Sequence, residues 1–159
     1  MNSKSDRRVF IASDHGGFDM KQELVAWLRT NGYDVIDFGT HSTDPVDYPD
    51  MALLVAQAVA QDERAVGIVV DGAGIGSAIT ANKVPGIRAA PCYDAFTARN
   101  SREHNNANVL TLGGRVIGGG MAQEIARTWL ETPYAGGRHQ RRVDKMLAVE
   151  ARFLKERCR

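Results

Sequence analysis

Five short apolar runs, separated by stretches with helical periodicity, set the tightest limit on what this chain can fold into. They cover residues 9–13, 34–39, 67–71, 88–93 and 109–113, and each closes on, or is followed by, Gly, Asp or Ser. Strands alternating with helices predict βαβ units and a parallel sheet. The unbroken Gly67-Ile68-Val69-Val70 suits a central strand covered on both faces. Between the runs, Met20, Leu24, Trp27 and Leu28 share one helical face, and Asn31-Gly32 supplies the stop. Further helices are expected at about 51–61, just after Gly76, at 94–102 and at 120–131. A last helix follows Gly136-Gly137, with Val143, Met146, Leu147, Val149 and Phe153 as its apolar stripe. There is no internal repeat or linker. Residues 1–159 therefore read as one α/β sandwich, flexible over 1–7 and ending in a helical tail over 148–159.

Composition narrows the partners. Apolar residues are 43% of the chain and charged residues 25%, ordinary for a globular domain and incompatible with a disordered one. No window reaches the ~20 apolar residues a membrane span needs, and the polar start MNSKSDRR is no signal peptide. Cys92 and Cys158 are too few for a disulfide framework or a zinc site, so a cytoplasmic setting is expected. The net charge of +1 points to neither nucleic acid nor membrane. It is unevenly spread, however. From residue 138 to 159 there are eight Lys or Arg against three acids, on a mildly acidic body.

Ligands of open parallel sheets bind beyond the carboxyl ends of the strands. After the first run stand Asp14, His15 and a Gly pair, able to supply charge and a proton or merely a capped turn. After the second comes a polar loop in which His41 reads as solvated and Tyr48 could fold over a cleft. After the third stands Asp71-Gly72-Ala73-Gly74-Ile75-Gly76, whose glycines let backbone N–H groups converge on an oxyanion. Its G-x-G-x-G spacing, after the third strand, departs from the dinucleotide fingerprint, although Asp94 stands where a ribose-binding acid would. A strand-end Asp beside such amides is better placed to move a proton next to a developing oxyanion. His104 and Asn105 can be an acid/base and an orienting donor, or simply a helix C-cap. Arg138 and Arg142, four apart at the start of the last helix, oppose its dipole, a cost that a bound phosphate would explain.

Taken together, SDHGGF, VIDFGT…VDYPD, DGAGIG, ANKVPGIRAA, SREHNNANVLTLGGRVIG and GGRHQRRV resemble the type B ribose-5-phosphate isomerase family, which includes galactose-6-phosphate isomerase subunits. The likeness runs in order from Arg8 to Met146. It implies a Rossmann-like three-layer sandwich on a five-stranded parallel sheet. It also implies a homodimer, or a tetramer of such dimers, whose sites draw on both subunits. The implied reaction is aldose–ketose interconversion of a small phosphorylated sugar through a cis-enediol(ate), with no metal and no organic cofactor. By the same resemblance His104 opens the furanose ring, and Asp14, Tyr48 and Asn105 contact the sugar. The amides of Gly72, Gly74 and Gly76 cradle the enediolate. Arg115, Arg138 and Arg142 hold the phosphate, and His15 is a further site residue.

One position departs from that pattern. Where most members carry Cys-Gly-Thr-Gly, with Cys as base, this chain has Asp71-Gly72-Ala73-Gly74. Asp71 becomes the candidate base. A carboxylate near its reference pKa of about 3.9 is a weak base toward C–H, so the assignment calls for a buried Asp71. Cys92 lies in a different strand and does not replace the thiol. The most direct expectation is interconversion of ribose 5-phosphate and ribulose 5-phosphate. The altered base leaves two alternatives, an isomerase of a tetrose or hexose phosphate and a non-catalytic sugar-phosphate-binding protein. A dinucleotide-binding module is a third and gains nothing from the arginine pair.

Overall fold

The computed structural model describes residues 7–157. The flexible start expected over 1–7 lies outside those residues except for Arg7, whose guanidinium donates to the Leu130 carbonyl at 2.9 Å. Five strands form one all-parallel sheet: β1 Arg8–Ser13, β2 Asp34–Asp37, β3 Val66–Asp71, β4 Ala89–Pro91 and β5 Val109–Gly113. Six helices connect and follow them: α1 Phe18–Thr30, α2 Tyr48–Gln61, α3 Ile75–Ala81, α4 Ala95–Glu103, α5 Gly119–Glu131 and α6 Gln140–Arg157. The strand order β2-β1-β3-β5-β4 puts the reversal of chain direction between β1 and β3, where an open sheet leaves a crevice at its carboxyl edge.

Alternation along each strand builds the two faces. Val9, Ile11, Ile68, Val70, Leu110 and Leu112 meet α1, α4 and α5 through Leu24, Leu28, Ala98, Ile125 and Trp129. Phe10, Ala12, Val69 and Val109 meet α2 and α3 on the opposite face, through Ala52, Val55, Ala56 and Ala81. The result is the expected three-layer sandwich. Gly67 lets α2 approach closely, since a Cβ there would lie 2.4 Å from Val55 Cγ1. Beneath the end of β2, the fully buried Lys21 ammonium donates to both carboxylate oxygens of Asp37, at 2.8 and 2.7 Å.

Three of the departures from the periodicity have a local cause. The second strand stops at Asp37 rather than 39, because Gly39 turns to φ +101° and breaks the extended run. The fourth shrinks to Ala89–Pro91, an edge strand whose proline has no N–H to carry on a ladder. The last helix begins at Gln140; Gly137–His139 form a separate 3-10 turn, so Arg138 and Arg142 do not share one α-helical face.

Candidate active site

Backbone bonds draw three strand ends into one cluster. The Asp14 N–H donates to the Val70 carbonyl (3.2 Å), the Gly114 N–H to Asp71 (2.7 Å) and the Arg115 N–H to Gly72 (3.0 Å). Glycine permits this crowding, since a Cβ on Gly113 would lie 2.7 Å from the Ala73 carbonyl oxygen. Asp14 is buried, and its Oδ1 accepts from the Gly17 N–H at 2.9 Å. The His15 Nδ1 lies 3.2 Å from the Val46 oxygen and 3.3 Å from its nitrogen, so this exposed ring pins the loop that leads into α2. Tyr48 opens α2 and lies over the first turn of α3; a Cβ on Gly76 would come within 2.4 Å of its ring. The Arg115 side chain flanks Gly72.

Asp71 is buried as expected, but it is not bare. Its Oδ1 accepts from the Ala73 N–H (2.8 Å) and from the Gly74 N–H, and its Oδ2 from the Ser77 N–H (2.9 Å) and the Ser77 hydroxyl. Four donors fill the four lone-pair sites a carboxylate offers. Asp71 thus shapes the loop and caps the start of α3. The cradle is correspondingly smaller than expected. The Gly74 amide is turned onto Asp71, leaving Gly72, Ile75 and Gly76 as amides Asp71 does not engage. Gly74 serves instead through its left-handed φ of +79°, with its carbonyl accepting from the Thr111 hydroxyl at 2.6 Å. The dinucleotide alternative loses its second support as well. Asp94 is the N-cap of α4, and the N–H and hydroxyl of Thr97 hold its carboxyl below the usual carboxylate range.

His104, Asn105, Arg138 and Arg142 lie elsewhere. α4 runs antiparallel to the strands, so its end returns to the amino edge of the sheet, where the Gly67 N–H donates to Asn108 (2.9 Å). Asp71 stands four residues further along β3, about 13 Å away at strand rise. The Ala135 N–H, donating to Glu103 (3.0 Å), brings the 3-10 turn against the end of α4. There His104 stacks on His139, and the exposed Arg138 donates through Nε to His139 Nε2 at 3.3 Å. Loss of water, then the charges of His104, Arg138 and Arg142, push the His139 pKa down. The Asn100 amide N–H lies 3.0 Å from His104 Nδ1, which assigns the His104 ring proton to Nε2. Asn105, exposed, reaches Asn100 at 3.5 Å. The candidate residues therefore fall into two groups, at opposite edges of the sheet.

Sequence reasoning passed over three residues here. Ser77 sits buried behind Asp71, and no spacing rule marks it. Tyr93 donates to the Ala73 carbonyl at 3.1 Å, its phenol pKa raised by lost solvation and by the Asp71 charge. His139 lay in view inside GGRHQRR, but only its stacking partner gives it meaning. Among the described residues no three His, Cys, Asp or Glu side chains group as metal ligands do.

Comparison with known proteins places the fold. The family described as Ribose/Galactose Isomerase matches residues 9–146. The chain is 46% identical to ribose-5-phosphate isomerase B of Escherichia coli (strain K12) over 146 residues, 92% of this chain and 98% of that protein. It superposes on Clostridium thermocellum ribose-5-phosphate isomerase B with TM-score 0.90 and 51% identity, covering 92% of this chain and 99% of that one. The Mycoplasma genitalium ribose-5-phosphate isomerase B with bound ribulose-5-phosphate gives TM-score 0.88 and 39% identity, covering 91% and 97%.

Proposed function

The chain belongs to the ribose/galactose isomerase family, and from that premise we propose that it interconverts ribose 5-phosphate and ribulose 5-phosphate. The observation that carries this reading is the gathering of Asp14, Asp71, the glycine loop and Tyr48 at the β1–β3 crevice. Relatives matched over nearly their whole length, those of Escherichia coli and Clostridium thermocellum among them, are named for that activity, and none of the relatives described above is named for a tetrose phosphate. A carboxylate in the base position also favours an enzyme over a binding homologue, because it is chemically competent for proton transfer.

In this reading His104 gives its Nε2 proton to the ring oxygen and takes up the proton of the anomeric hydroxyl, opening the furanose to the aldehyde. Asp71 takes the C2 proton. Charge developing on O1 is met by the free amides of the glycine loop. The same carboxylic acid returns the proton to C1 as the O2 hydroxyl proton passes to O1, giving the ketose. All four lone-pair sites of Asp71 are occupied, so one donor must yield. The Ser77 hydroxyl is the one of the four that can rotate away. Arg138 and Arg142, with Arg115, hold the phosphate by charge-assisted hydrogen bonds.

Ring opening and proton transfer act on neighbouring carbons, yet His104 and Asp71 stand at opposite edges of one sheet. A second copy resolves this by presenting its own His104, Asn105, Arg138 and Arg142 to this chain's Asp71, in a homodimer with two shared sites. Two such dimers could pair as a tetramer without altering either site. No helix among the described residues is long and apolar enough to cross a membrane, and a phosphorylated-sugar substrate suits the cytoplasm. A coupled assay across phosphorylated pentoses, tetroses and hexoses tests the proposal. Turnover should be highest with ribose 5-phosphate, and a clear preference for a tetrose or hexose phosphate would overturn it.

A further inference from the structure

Behind the His104–Asn105 loop, at the amino edge of the sheet, lies a cleft of about 1500 Å³ that isomerisation leaves unused. Arg7, Arg88 and Arg102 reach into it. Arg102 is only 6% exposed. Its guanidinium lies 5.1 Å from the ring centre of Trp129 and donates once to the Ala107 carbonyl. Its Nε has no hydrogen-bond partner, and among the described residues no carboxylate pairs with it. Burial, together with repulsion from Arg7 and Arg88, lowers its pKa to about 10. The acids lining the same cleft are Asp62, Glu63 and Glu131; Asp62 is engaged by Arg8 at 3.9 Å and by the Arg64 N–H at 3.0 Å.

Like charges crowded around an orphaned buried N–H are costly unless an anion joins them. We propose that this cleft is a second, non-catalytic site for a phosphate-type oxyanion, such as the phosphate of a small phosphorylated effector, held by Arg7, Arg88 and Arg102. Guanidinium forks match such oxygens in pairs. The site also touches function mechanically. Arg88 Nε donates to the carbonyls of Asn105 (3.2 Å) and Asn106 (3.0 Å), and Arg102 holds Ala107. An anion that fixes these two arginines therefore steadies the loop carrying His104 and Asn105 from behind.

Trp129 provides the readout, because Arg102 lies over it. In a Trp27→Phe background Trp129 is the remaining tryptophan. Inorganic phosphate, titrated at constant ionic strength against chloride, should change its emission saturably. That response should weaken at least ~10-fold in Arg7→Gln/Arg88→Gln, the cost of losing charged hydrogen bonds. It should persist in Arg138→Ala/Arg142→Ala, which lacks the arginines assigned to substrate phosphate. As an independent measure, phosphate should raise the melting temperature of that last variant as it does that of the wild type. A response equal to that of chloride, one that survives in Arg7→Gln/Arg88→Gln, or one lost in Arg138→Ala/Arg142→Ala would overturn the proposal. So would the absence of a melting shift in Arg138→Ala/Arg142→Ala.

Discussion

The imidazole of His104 lies flat on that of His139, with ring centres 4.0 Å apart and 12° between the planes. Arg138 and Arg142 stand beside the stacked pair. His139, the buried one, has its pKa lowered, first by lost solvation and then by those cations.

Stability should therefore depend on pH through His139. A folded pKa below the unfolded value of about 6.5 means the unfolded chain binds more protons as pH falls. The contribution is complete above about pH 6.5 and is lost as pH drops through the folded value. Melting temperatures of wild type and His139→Gln, measured from pH 7.5 down to 5.5, check this. The wild type should lose more than the variant; parallel curves would remove His139 from the account.

The ring-opening role proposed for His104 makes its effect direction-sensitive. Ribulose 5-phosphate cannot close a furanose ring, because its C5 oxygen carries the phosphate. His104→Asn should thus lower turnover of ribose 5-phosphate by about 10²–10³-fold, within the range for acid–base groups. Turnover starting from ribulose 5-phosphate should fall much less. Initial rates from each side decide it, and equal losses would contradict the assigned role.

Asp71→Asn should lower turnover by about 10²–10⁴-fold in both directions. It should also cost about 1–3 kcal/mol of stability, since an amide NH2 would face a donor. The proposed sharing of sites gives a sharper test. Chains bearing Asp71→Asn and His104→Asn, mixed and allowed to exchange, should recover roughly a quarter of wild-type activity on ribose 5-phosphate, because half the dimers then hold one intact site. No recovery would mean that each site lies within one chain.

Gly76→Ala pushes a Cβ into the Tyr48 ring, which is 41% exposed and free to swing. Stability should change by less than ~1 kcal/mol while kcat/KM falls about tenfold, as a displaced substrate contact would produce. Gly67→Ala meets the buried Val55 instead and should cost about 1–3 kcal/mol with little effect on KM. Melting and steady-state kinetics on the pair separate the two glycines.

The sheet was legible because its signal is local. β5 spans the expected residues, and β1 and β3 each begin one residue earlier than their apolar runs. Where tertiary context acts, at Gly39 and Pro91, the periodicity overran the strand. The strand-end rule located Asp14, Asp71 and the glycine loop. It could not indicate that Asp71 accepts four hydrogen bonds, because that depends on how residues 72–77 curl back.

From its residues alone the chain determined an α/β sandwich, a parallel sheet and the segments that bear chemistry, since periodicity and turn residues act over a few positions. Only the tertiary structure decided which of those segments meet. An antiparallel helix carries His104 to the edge opposite Asp71, while a contact between Ala135 and Glu103, 32 positions apart, delivers His139 and the arginines to His104. Such relations follow from strand order and helix direction, to which no single stretch of sequence is sensitive.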